Sequence, residues 1–552
     1  MRLKIQHYFL GSVPLVIAIA FSFFNSGEED RYQPRDNNAF APNGIADYGE
    51  YINSMRANEI TGLVTQADIQ KATDEINALP TNKTNSLTWE TKGPDNYGGR
   101  TRALIIDKDN SSHLYTGSVG GGIFKSINGG ATWSHIGDPT HNQSIVSMTQ
   151  TPNGDIYVGT GELFQGYGGG GASSSPQFMG KGVLKSTDRG NTWTELSTTL
   201  GWSTVPRIEA DPTDPSGNTV YAATNTGFKK TTDGGLTWAG LLGGNIWDFA
   251  ISVTGKLFVN RNGNTMYSSD GSTFTEISAA LITSTSLPRV GSPSNARVRY
   301  SISPQDENYV YCVQTNGNKL RAVYRSIDGG TTWSKIGQRS NNFDPLCYTN
   351  SQFSSNQTCQ GKYDLLFAVS AHDKDLIYLG GITIWKWSLS QGWSQATTNY
   401  GGIGNPIYIH SDSHDMVFDP NNSNIVYAVN DGGVFKSSDG GLTWAERNKN
   451  YNTFTQFGVS VGRDRKILGG GQDNGTIYLD GSLLSPNSGI KTGGGDGGYA
   501  EISWLTPKVH FFESQGGSFY RSNDGYGNNA ETFWSPLMTL PVSQGKALSS
   551  FM

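Results

Sequence analysis

The chain has 552 residues, of which 16% are charged and 11% aromatic, and 71 are glycines. This composition is typical of all-β proteins with many tight turns, and it disfavours coiled coils and other largely helical folds. The formal net charge of −6 and the lack of a lysine- or arginine-rich run give no electrostatic reason to expect nucleic acid as a partner.

Residues 1–22 have the pattern of a secretion signal. Arg2 and Lys4 precede an apolar run that Pro14 interrupts and that is too short for a good membrane span. The small residues Ala20 and Ser22 suit cleavage after position 22, and a retained signal anchor is the alternative. We therefore expect an exported protein, secreted or held at the cell surface, with no transmembrane span beyond this segment.

Residues 23–87 predict a polar lead-in rather than a domain. Its first part, residues 27–44, is polar enough to predict disorder. A helix is expected further on, between Thr65 as a candidate N-cap and Pro80 as a stop.

Residues 88–552 repeat one module of four short strands. Each copy has an apolar strand that ends in Asp, a strand with Tyr, a Gly-rich turn, a strand that ends in Lys-Ser, and a turn that leads into Thr-Trp. Such modules are the blades of a β-propeller. First strands are predicted to begin near Arg102, Ile145, Arg207, Trp247, Arg299, Leu365, Met416, Phe457 and Tyr499.

The number of modules predicts one all-β propeller of about nine to ten blades. The alternative is two smaller propellers in tandem, because most propellers have about four to eight blades. Residues 86–93 resemble a fourth strand without a preceding blade, and residues 545–552 resemble a first strand without a following one. We therefore expect that the sequence stops early, within or before a last blade.

Five modules share the same turn, which we call the repeat turn. Its Asp and Ser side chains can accept backbone N–H groups, its glycine supplies positive φ, and its Trp can pack on the sheet. None of this needs a ligand, so a structural role is predicted. The residues with this role are Ser126, Asn128, Trp133, Ser186, Asp188, Trp193, Asp233, Trp238, Ser326, Asp328, Trp333, Ser437, Asp439 and Trp444.

The repeat turns SINGGATW, STDRGNTW, TTDGGLTW, SIDGGTTW and SSDGGLTW resemble the Asp-box, also called the bacterial neuraminidase repeat. That repeat occurs in sialidases, in xyloglucan-hydrolysing endoglucanases and in the luminal domain of sortilin-type receptors. The resemblance implies a propeller fold and leaves enzyme and binding protein open. Glu209 after Arg207-Ile208 departs from the sialidase signature, and Val119 stands where xyloglucanases carry a catalytic aspartate, so neither orthodox activity is expected.

A wider resemblance is to secreted Asp-box proteins of the Bacteroidetes type. It rests on Trp89–Ala103, His410–Gly433 and Gly470–Gly475. The activity of such proteins is generally unassigned, so this resemblance implies export without implying a reaction.

Connectivity places the polar loops on one side of the propeller. If the repeat turns join strands three and four, then the loops between strands two and three and those before strand one lie on the opposite face, here called the loop face. Candidates for acid–base catalysis in these loops are His410, Asp412, His414, Asp431, Asp473, Asp496 and Glu162. Candidates for ligand binding are Arg100, Arg102, Gln472 and Asn474.

The pattern His410-x-Asp412-x-His414 also suggests a metal site. In a strand, alternate residues project to the same side, so these three side chains would converge. Two imidazoles and a carboxylate can bind Zn²⁺ or another transition metal, with Asp473 or Asp496 completing the site. A divalent metal at His410 and His414 is the one cofactor that the sequence suggests, and polar turn chemistry without a ligand is the alternative.

Two functions fit these observations. The favoured one is the binding of an extracellular glycan or protein partner through the loop face. The alternative is a polysaccharide-active enzyme, a glycoside hydrolase or lyase, that uses the carboxylates and histidines of that face.

Cys347 and Cys359 lie in one loop-like stretch and could pair in an oxidising compartment, whereas Cys312 is expected to be buried in a strand.

Overall fold

The computed structural model of the chain describes residues 58, 65–78, 90–163, 178–279, 287–288, 297–340, 343–348, 359–399, 402–482, 485, 487–514, 518–523 and 535–539. The predicted signal, most of the lead-in and residues 540–552 lie outside this part. The chain divides into residues 1–43 and 44–552, and all described residues belong to the second unit. Among the residues described, no helix is long and apolar enough to cross a membrane.

Helix α1 (Gln66–Ala78) belongs to the lead-in. Thr65 caps it, because its hydroxyl accepts the N–H of Asp68 and its own N–H donates to the Asp68 carboxylate.

In the described part of the chain, nine four-stranded antiparallel sheets follow, each with its strands in sequence order. Sheet 1 contains β1 (Thr101–Asp107), β2 (Asn110–Ser118), β3 (Gly122–Ser126) and β4 (Ser134–His135). Sheet 2 contains β5 (Ile145–Gln150), β6 (Ile156–Thr160), β7 (Val183–Ser186) and β8 (Thr194–Glu195). Sheet 3 contains β9 (Arg207–Ala210), β10 (Val220–Thr224), β11 (Gly227–Thr231) and β12 (Ala239–Leu242). Sheet 4 contains β13 (Ile246–Ile251), β14 (Leu257–Arg261), β15 (Asn264–Ser268) and β16 (Thr275–Glu276).

The remaining sheets follow a short parallel pair, β17 (Ser278–Ala279) and β18 (Leu287–Pro288). Sheet 5 contains β19 (Val298–Ile302), β20 (Val310–Asn316), β21 (Lys319–Ser326) and β22 (Ser334–Gln338). Sheet 6 contains β23 (Leu366–Val369), β24 (Leu376–Gly380), β25 (Ile384–Ser388) and β26 (Gly392–Gln395). Sheet 7 contains β27 (Ser413–Phe418), β28 (Val426–Asn430), β29 (Gly433–Ser437) and β30 (Ala445–Glu446). Sheet 8 contains β31 (Gln456–Val461), β32 (Ile467–Gly471), β33 (Gly475–Leu479) and β34 (Ile490–Gly493). Sheet 9 contains β35 (Gly497–Ile502), β36 (His510–Ser514), β37 (Ser518–Ser522) and β38 (Ser535–Thr539).

The predicted propeller of four-stranded blades is confirmed, but the ring closes earlier than expected. The first strands of sheets 1 to 7 contact one another in order, and β27 of sheet 7 contacts β1 of sheet 1. Sheets 8 and 9 pack on each other through β31 and β35. The expectation of nine to ten blades in one ring is therefore corrected to a seven-bladed ring followed by two further sheets, which is closer to the tandem alternative.

Apolar side chains fill the space between neighbouring sheets. A separate buried cluster joins each consecutive pair of sheets from 1 to 7, and another joins sheets 8 and 9. The cluster that closes the ring combines Leu104 and Phe124 of sheet 1 with Tyr427 and Val429 of sheet 7. Burial of apolar area between these two sheets stabilises the closed ring.

The repeat turns have the hydrogen bonds of a closed local network. In sheet 7, the Ser437 hydroxyl donates to Asp439 Oδ1 at 2.8 Å and accepts the N–H of Gly441 at 2.8 Å. Asp439 also accepts the Thr443 N–H and hydroxyl, at 2.8 and 2.6 Å. Sheets 2, 3 and 5 have equivalent bonds.

The repeat turns also link neighbouring blades. The Tyr115 hydroxyl of sheet 1 donates to the Arg189 carbonyl in the repeat turn of sheet 2, at 3.0 Å. The Tyr427 hydroxyl of sheet 7 donates to the Gly129 carbonyl in the repeat turn of sheet 1, at 3.2 Å. The tyrosine that recurs in the second strands thus links each of these two sheets to the repeat turn of the following sheet in the ring. The Tyr427 bond links the last sheet of the ring to the first.

The segment before β1 is held by residues far along the chain. Asn96 exchanges two hydrogen bonds with the backbone of Gly489, and Asp95 accepts the Ser488 hydroxyl at 2.8 Å. Gly99 donates to the Thr453 hydroxyl at 2.9 Å. This segment therefore joins the ring to the loop that precedes β34.

A disulfide, Cys347–Cys359, closes a loop before sheet 6, and Cys312 is a buried free thiol.

Candidate functional site

The candidate residues lie at the loop-face ends of their sheets. Asp431 is in the β28–β29 turn, Asp473 in the β32–β33 turn, and Asp496 between β34 and β35. Glu162 follows β6, and Arg100 immediately precedes β1. Connectivity predicts this common location, because all of these positions are on the side opposite the repeat turns.

A buried ion pair network surrounds Glu162. Its carboxylate accepts Arg100 Nη1 at 2.8 Å and Arg102 Nε at 3.0 Å. Both guanidinium groups also lie against the ring of Tyr363, 5.1 and 4.7 Å from its centroid. The network therefore joins sheets 1 and 2 to the residues that precede β23.

His414 and Asp431 form a second buried pair beside this network. The His414 Nε2 atom donates to Asp431 Oδ1 at 2.6 Å, while Arg102 Nη1 lies 3.2 Å from His414 Nδ1 and donates to it. This arrangement requires the neutral tautomer with the proton on Nε2. Burial and the charge of Arg102 lower the pKa of His414 to about 3, so the ring is neutral. Asp431 also accepts the Tyr363 hydroxyl.

Asp431 differs electrostatically from the acids next to it. Burial by itself raises the pKa of Asp431, but His414, Arg100 and Arg102 together hold it below its ordinary value. Burial and the charge of Asp364 raise the pKa of Asp412 well above its ordinary value.

Three of these acids converge. Asp412, Asp431 and Asp473 each offer a carboxylate oxygen, and the three oxygens lie within 4.8 Å of one another. Asp364, just before β23, acts electrostatically on Asp412 and is itself affected by Asp431, so it belongs to the same cluster. Asp496 accepts the backbone N–H of Asp473 at 2.8 Å and so supports the turn that carries Asp473.

The predicted convergence of His410, Asp412 and His414 in one strand is wrong. Strand β27 begins at Ser413, and Asp412 has a left-handed φ of 63°, so the alternation of side chains does not extend back to His410. His410 Nδ1 and Nε2 lie 3.1 and 2.9 Å from the carbonyls of Ser411 and Asp473. Because the His414 nitrogens face Arg102 and Asp431, the two imidazoles do not meet at one metal position.

Gln472 and Asn474 are buried and hold the turns of the cluster. Asn474 Nδ2 donates to the carbonyls of Asp431 and Gln472, at 2.9 and 3.0 Å. Gln472 Nε2 donates to Asp473 Oδ2 at 2.8 Å. Both side chains thus lie beneath the surface of the loop face, where the Asn474 bond to Asp431 connects sheets 7 and 8.

Sequence reasoning missed Tyr363 and Asp364. They precede the first strand of sheet 6, as His410 and Asp412 precede that of sheet 7, and this shared position is the signal that could have found them. The first strand was predicted to begin near Leu365, and the two residues before it were not included among the candidates.

The first strands of the ring line two polar cavities, of about 60 and about 230 Å³. Arginines and acids of these strands pair with each other: Arg299 Nε lies 3.2 Å from Asp248, and Arg207 Nη2 lies 2.6 Å from Glu209. The usual pocket for a small molecule is about 300 Å³ or more. A ligand as large as a sugar ring would therefore contact the loops around these cavities rather than enter them.

Glu446 is connected to the Asp431 turn through Asn448, and its pKa is raised. Asn448 Nδ2 donates to both Glu446 and the carbonyl of Gly432. Burial raises the pKa of Glu446 to about 7 from its usual 4.5, against the lowering effects of Asn448 and Lys491.

The raised pKa of Glu446 predicts a loss of stability at higher pH. The unfolded chain releases this proton near pH 4.5 and the folded chain near 7, so the free energy of unfolding should fall by about 3 kcal/mol across that window. Glu446→Gln should remove this contribution. Urea unfolding of both proteins at about pH 5 and about pH 8 measures the difference, and an equal pH dependence in the two proteins would contradict the prediction.

Comparison with known proteins gives similarity in structure alone. No family model and no curated protein sequence matches the chain. The fold is similar to the GH74 xyloglucanase from Xanthomonas campestris, with a TM-score of 0.58 and 12% identity over 83% of this chain and 70% of that one.

Two other solved structures are comparably similar. The GH74 enzyme from Niastella koreensis has a TM-score of 0.54 and 19% identity, over 81% of this chain and 67% of that one. An ancestral GH74 enzyme has a TM-score of 0.56 and 14% identity, over 82% of this chain and 64% of that one. At such identities a likeness establishes the fold and not the activity. The chain is a β-propeller protein with a seven-bladed ring that shares its fold with these enzymes.

Proposed function

We propose that the chain is an exported β-propeller that binds an extracellular glycan through its loop face. The observation that carries this proposal is the convergence of polar residues from sheets 1, 2, 6, 7 and 8 at one place on that face. Their mutual hydrogen bonds and ion pairs give the loops a fixed arrangement. A preorganised polar surface of this kind binds a ligand without a large cost of ordering.

Binding is favoured over hydrolysis because four of the seven candidate catalysts are buried, whereas His410, Asp473 and Asp496 are partly exposed. The exposed fractions are 1% for Glu162 and Asp431, 3% for Asp412 and 4% for His414. A general acid, base or nucleophile must come within hydrogen-bonding distance of its substrate. These side chains contact one another instead. Their proposed role is therefore to fix the loops whose exposed side would contact the ligand.

Two observations support export and the choice of ligand. The disulfide Cys347–Cys359 suits an oxidising compartment, as the predicted signal does. The similar structures include a xyloglucanase by name, so β-glucans and xyloglucan are the first polysaccharides to test. Membership of the Bacteroidetes-type Asp-box proteins stays a prediction.

A matched pair of substitutions in sheet 1 tests the use of the loop face. Gly120 is exposed in the β2–β3 turn, and a side chain there would meet only Thr455 Oγ1, at 3.5 Å. Gly120→Arg should reduce the affinity for a bound polysaccharide at least about tenfold by blocking the face. Ile127→Arg, in the exposed repeat turn of the same sheet, should leave that affinity unchanged.

Affinity electrophoresis against a panel of soluble polysaccharides, followed by calorimetry on each ligand found, measures these affinities. Equal binding by both variants would contradict the assignment to the loop face. Release of reducing ends by the unmodified chain would instead favour the hydrolase alternative.

A further inference from the structure

The acid cluster of the loop face has more carboxylates than neighbouring protein cations. Asp412 and Asp431 belong to sheet 7, Asp473 to sheet 8, and one oxygen from each lies within 4.8 Å of the other two. Arg100 is a cation next to them, with its Nε 3.6 Å from Asp431, but it already pairs with Glu162 at 2.8 Å.

Two buried carboxylates at this place lie against each other without a donor side chain between them. Asp412 is 3% exposed, and its Oδ1 accepts no hydrogen bond from the described residues. Asp364 is 0% exposed, and its carboxyl contacts its own backbone N–H and the Asp412 carboxyl instead of a donor side chain. Buried polar groups are almost always paired, and a buried carboxylate without compensation is very costly. These carboxylates therefore point to a ligand of positive charge.

The donor set selects a hard cation. It consists of carboxylate oxygens, since the ring nitrogens of His414 face Asp431 and Arg102 and those of His410 face backbone carbonyls. Oxygen ligands suit Ca²⁺ and Mg²⁺ rather than Zn²⁺. Calcium accepts about six to eight oxygens at about 2.3–2.6 Å, so two of its ligand atoms can lie about 4.6–5.2 Å apart. Oxygens no more than 4.8 Å apart are compatible with this ion, whereas magnesium is usually bound through only one or two carboxylates.

We propose that Asp412, Asp431 and Asp473 form a calcium site, with Asp364 beside Asp412 adding negative charge. The three ligands come from the loops of sheets 7 and 8, so the ion connects sheet 8 to the closed ring. This role is independent of glycan binding and goes beyond it.

Calcium binding to the full chain, first treated with chelator and dialysed, tests the site. Calorimetry should detect binding of one ion, and at about a hundredfold excess over Kd the Tm should rise by about 2–5 °C. Terbium should bind in place of calcium with sensitised luminescence, because the Tyr363 hydroxyl contacts Asp431.

Two conservative variants and one control locate the ion. Asp473→Asn and Asp412→Asn remove charge at positions with φ of 58° and 63°, which asparagine tolerates. Each should weaken calcium binding at least about tenfold, with an unchanged circular dichroism spectrum before calcium is added. Asp211→Asn, a buried aspartate of sheet 3, should bind calcium as the unmodified chain does.

Specific results would overturn the proposal. These are the absence of both binding heat and a Tm shift, or calcium affinity in both cluster variants equal to that of the control. Equal stabilisation by magnesium at the same concentration would overturn the assignment to calcium.

Discussion

Glu162→Ala is expected to lower the free energy of unfolding by about 3–5 kcal/mol. Glu162 is buried and accepts hydrogen bonds from Arg100 and Arg102, whose side chains are also buried. Its removal leaves two buried guanidinium groups, with Asp431 as the remaining carboxylate near Arg100. The loss of a buried partner costs more than the pair itself contributes, since the charges that remain are uncompensated.

Urea unfolding followed by tryptophan fluorescence measures the effect of Glu162→Ala. Glu162→Gln keeps the shape and one acceptor oxygen, so it should fall between the alanine variant and the unmodified chain. Glu90→Ala removes the exposed partner of Lys92 and should have no measurable effect. If the Glu162 and Glu90 variants are equally stable, the network contributes nothing to folding.

Gly475→Ala should destabilise sheet 8 by about 2–4 kcal/mol. Gly475 begins β33 with a φ of 73°, and an added Cβ would lie 1.9 Å from the carbonyl oxygen of Gly493 in β34. An alanine would have to adopt a left-handed conformation and also push the paired strand away. Because Gly475 is two residues from Asp473, the strain falls next to the acid cluster.

Gly481→Ala is the matched control for this glycine. Gly481 is exposed in the turn after β33, and an added Cβ there meets nothing within 4 Å. Its effect should be within about 0.5 kcal/mol of zero. Thermal unfolding of the two variants measures the contrast, and equal Tm values would show that the β33–β34 contact relaxes without cost.

Much of the blade structure was predictable from the sequence because each blade is specified locally. Strand starts near Ile145 and Arg207 were predicted at the observed residues, and the poorest, Met416, differs by three residues from Ser413. The turns and the alternating apolar residues that form a blade all lie within about forty residues of one another. Sequence patterns can be recognised over that distance.

The size of the ring was not predictable in the same way. It depends on whether Tyr427 and Val429 of one sheet pack against Leu104 of a sheet more than 300 residues earlier. No local pattern encodes such a contact, because the same apolar residues also fill the gaps between consecutive blades.

The candidate site was predictable in location and not in arrangement. Connectivity was sufficient to place Asp431 and Asp473 on the same face. The left-handed backbone of Asp412 and the burial of His414 depend on tertiary packing, so the expected histidine metal site did not follow. Asp364 was missed although it precedes a first strand as Asp412 does, because its contact with Asp412 depends on tertiary packing.

The bonds that hold the segment before β1 determine when the chain can finish folding. Asn96 and Gly489 are 393 residues apart, and Gly99 and Thr453 are 354 apart. Contacts of such separation form slowly, since a long loop must close before they contribute. If the chain leaves the cell N-terminus first, sheet 1 therefore lacks one of its two neighbouring sheets until sheet 7 has emerged. Factors that delay aggregation in that interval should raise the yield of folded protein.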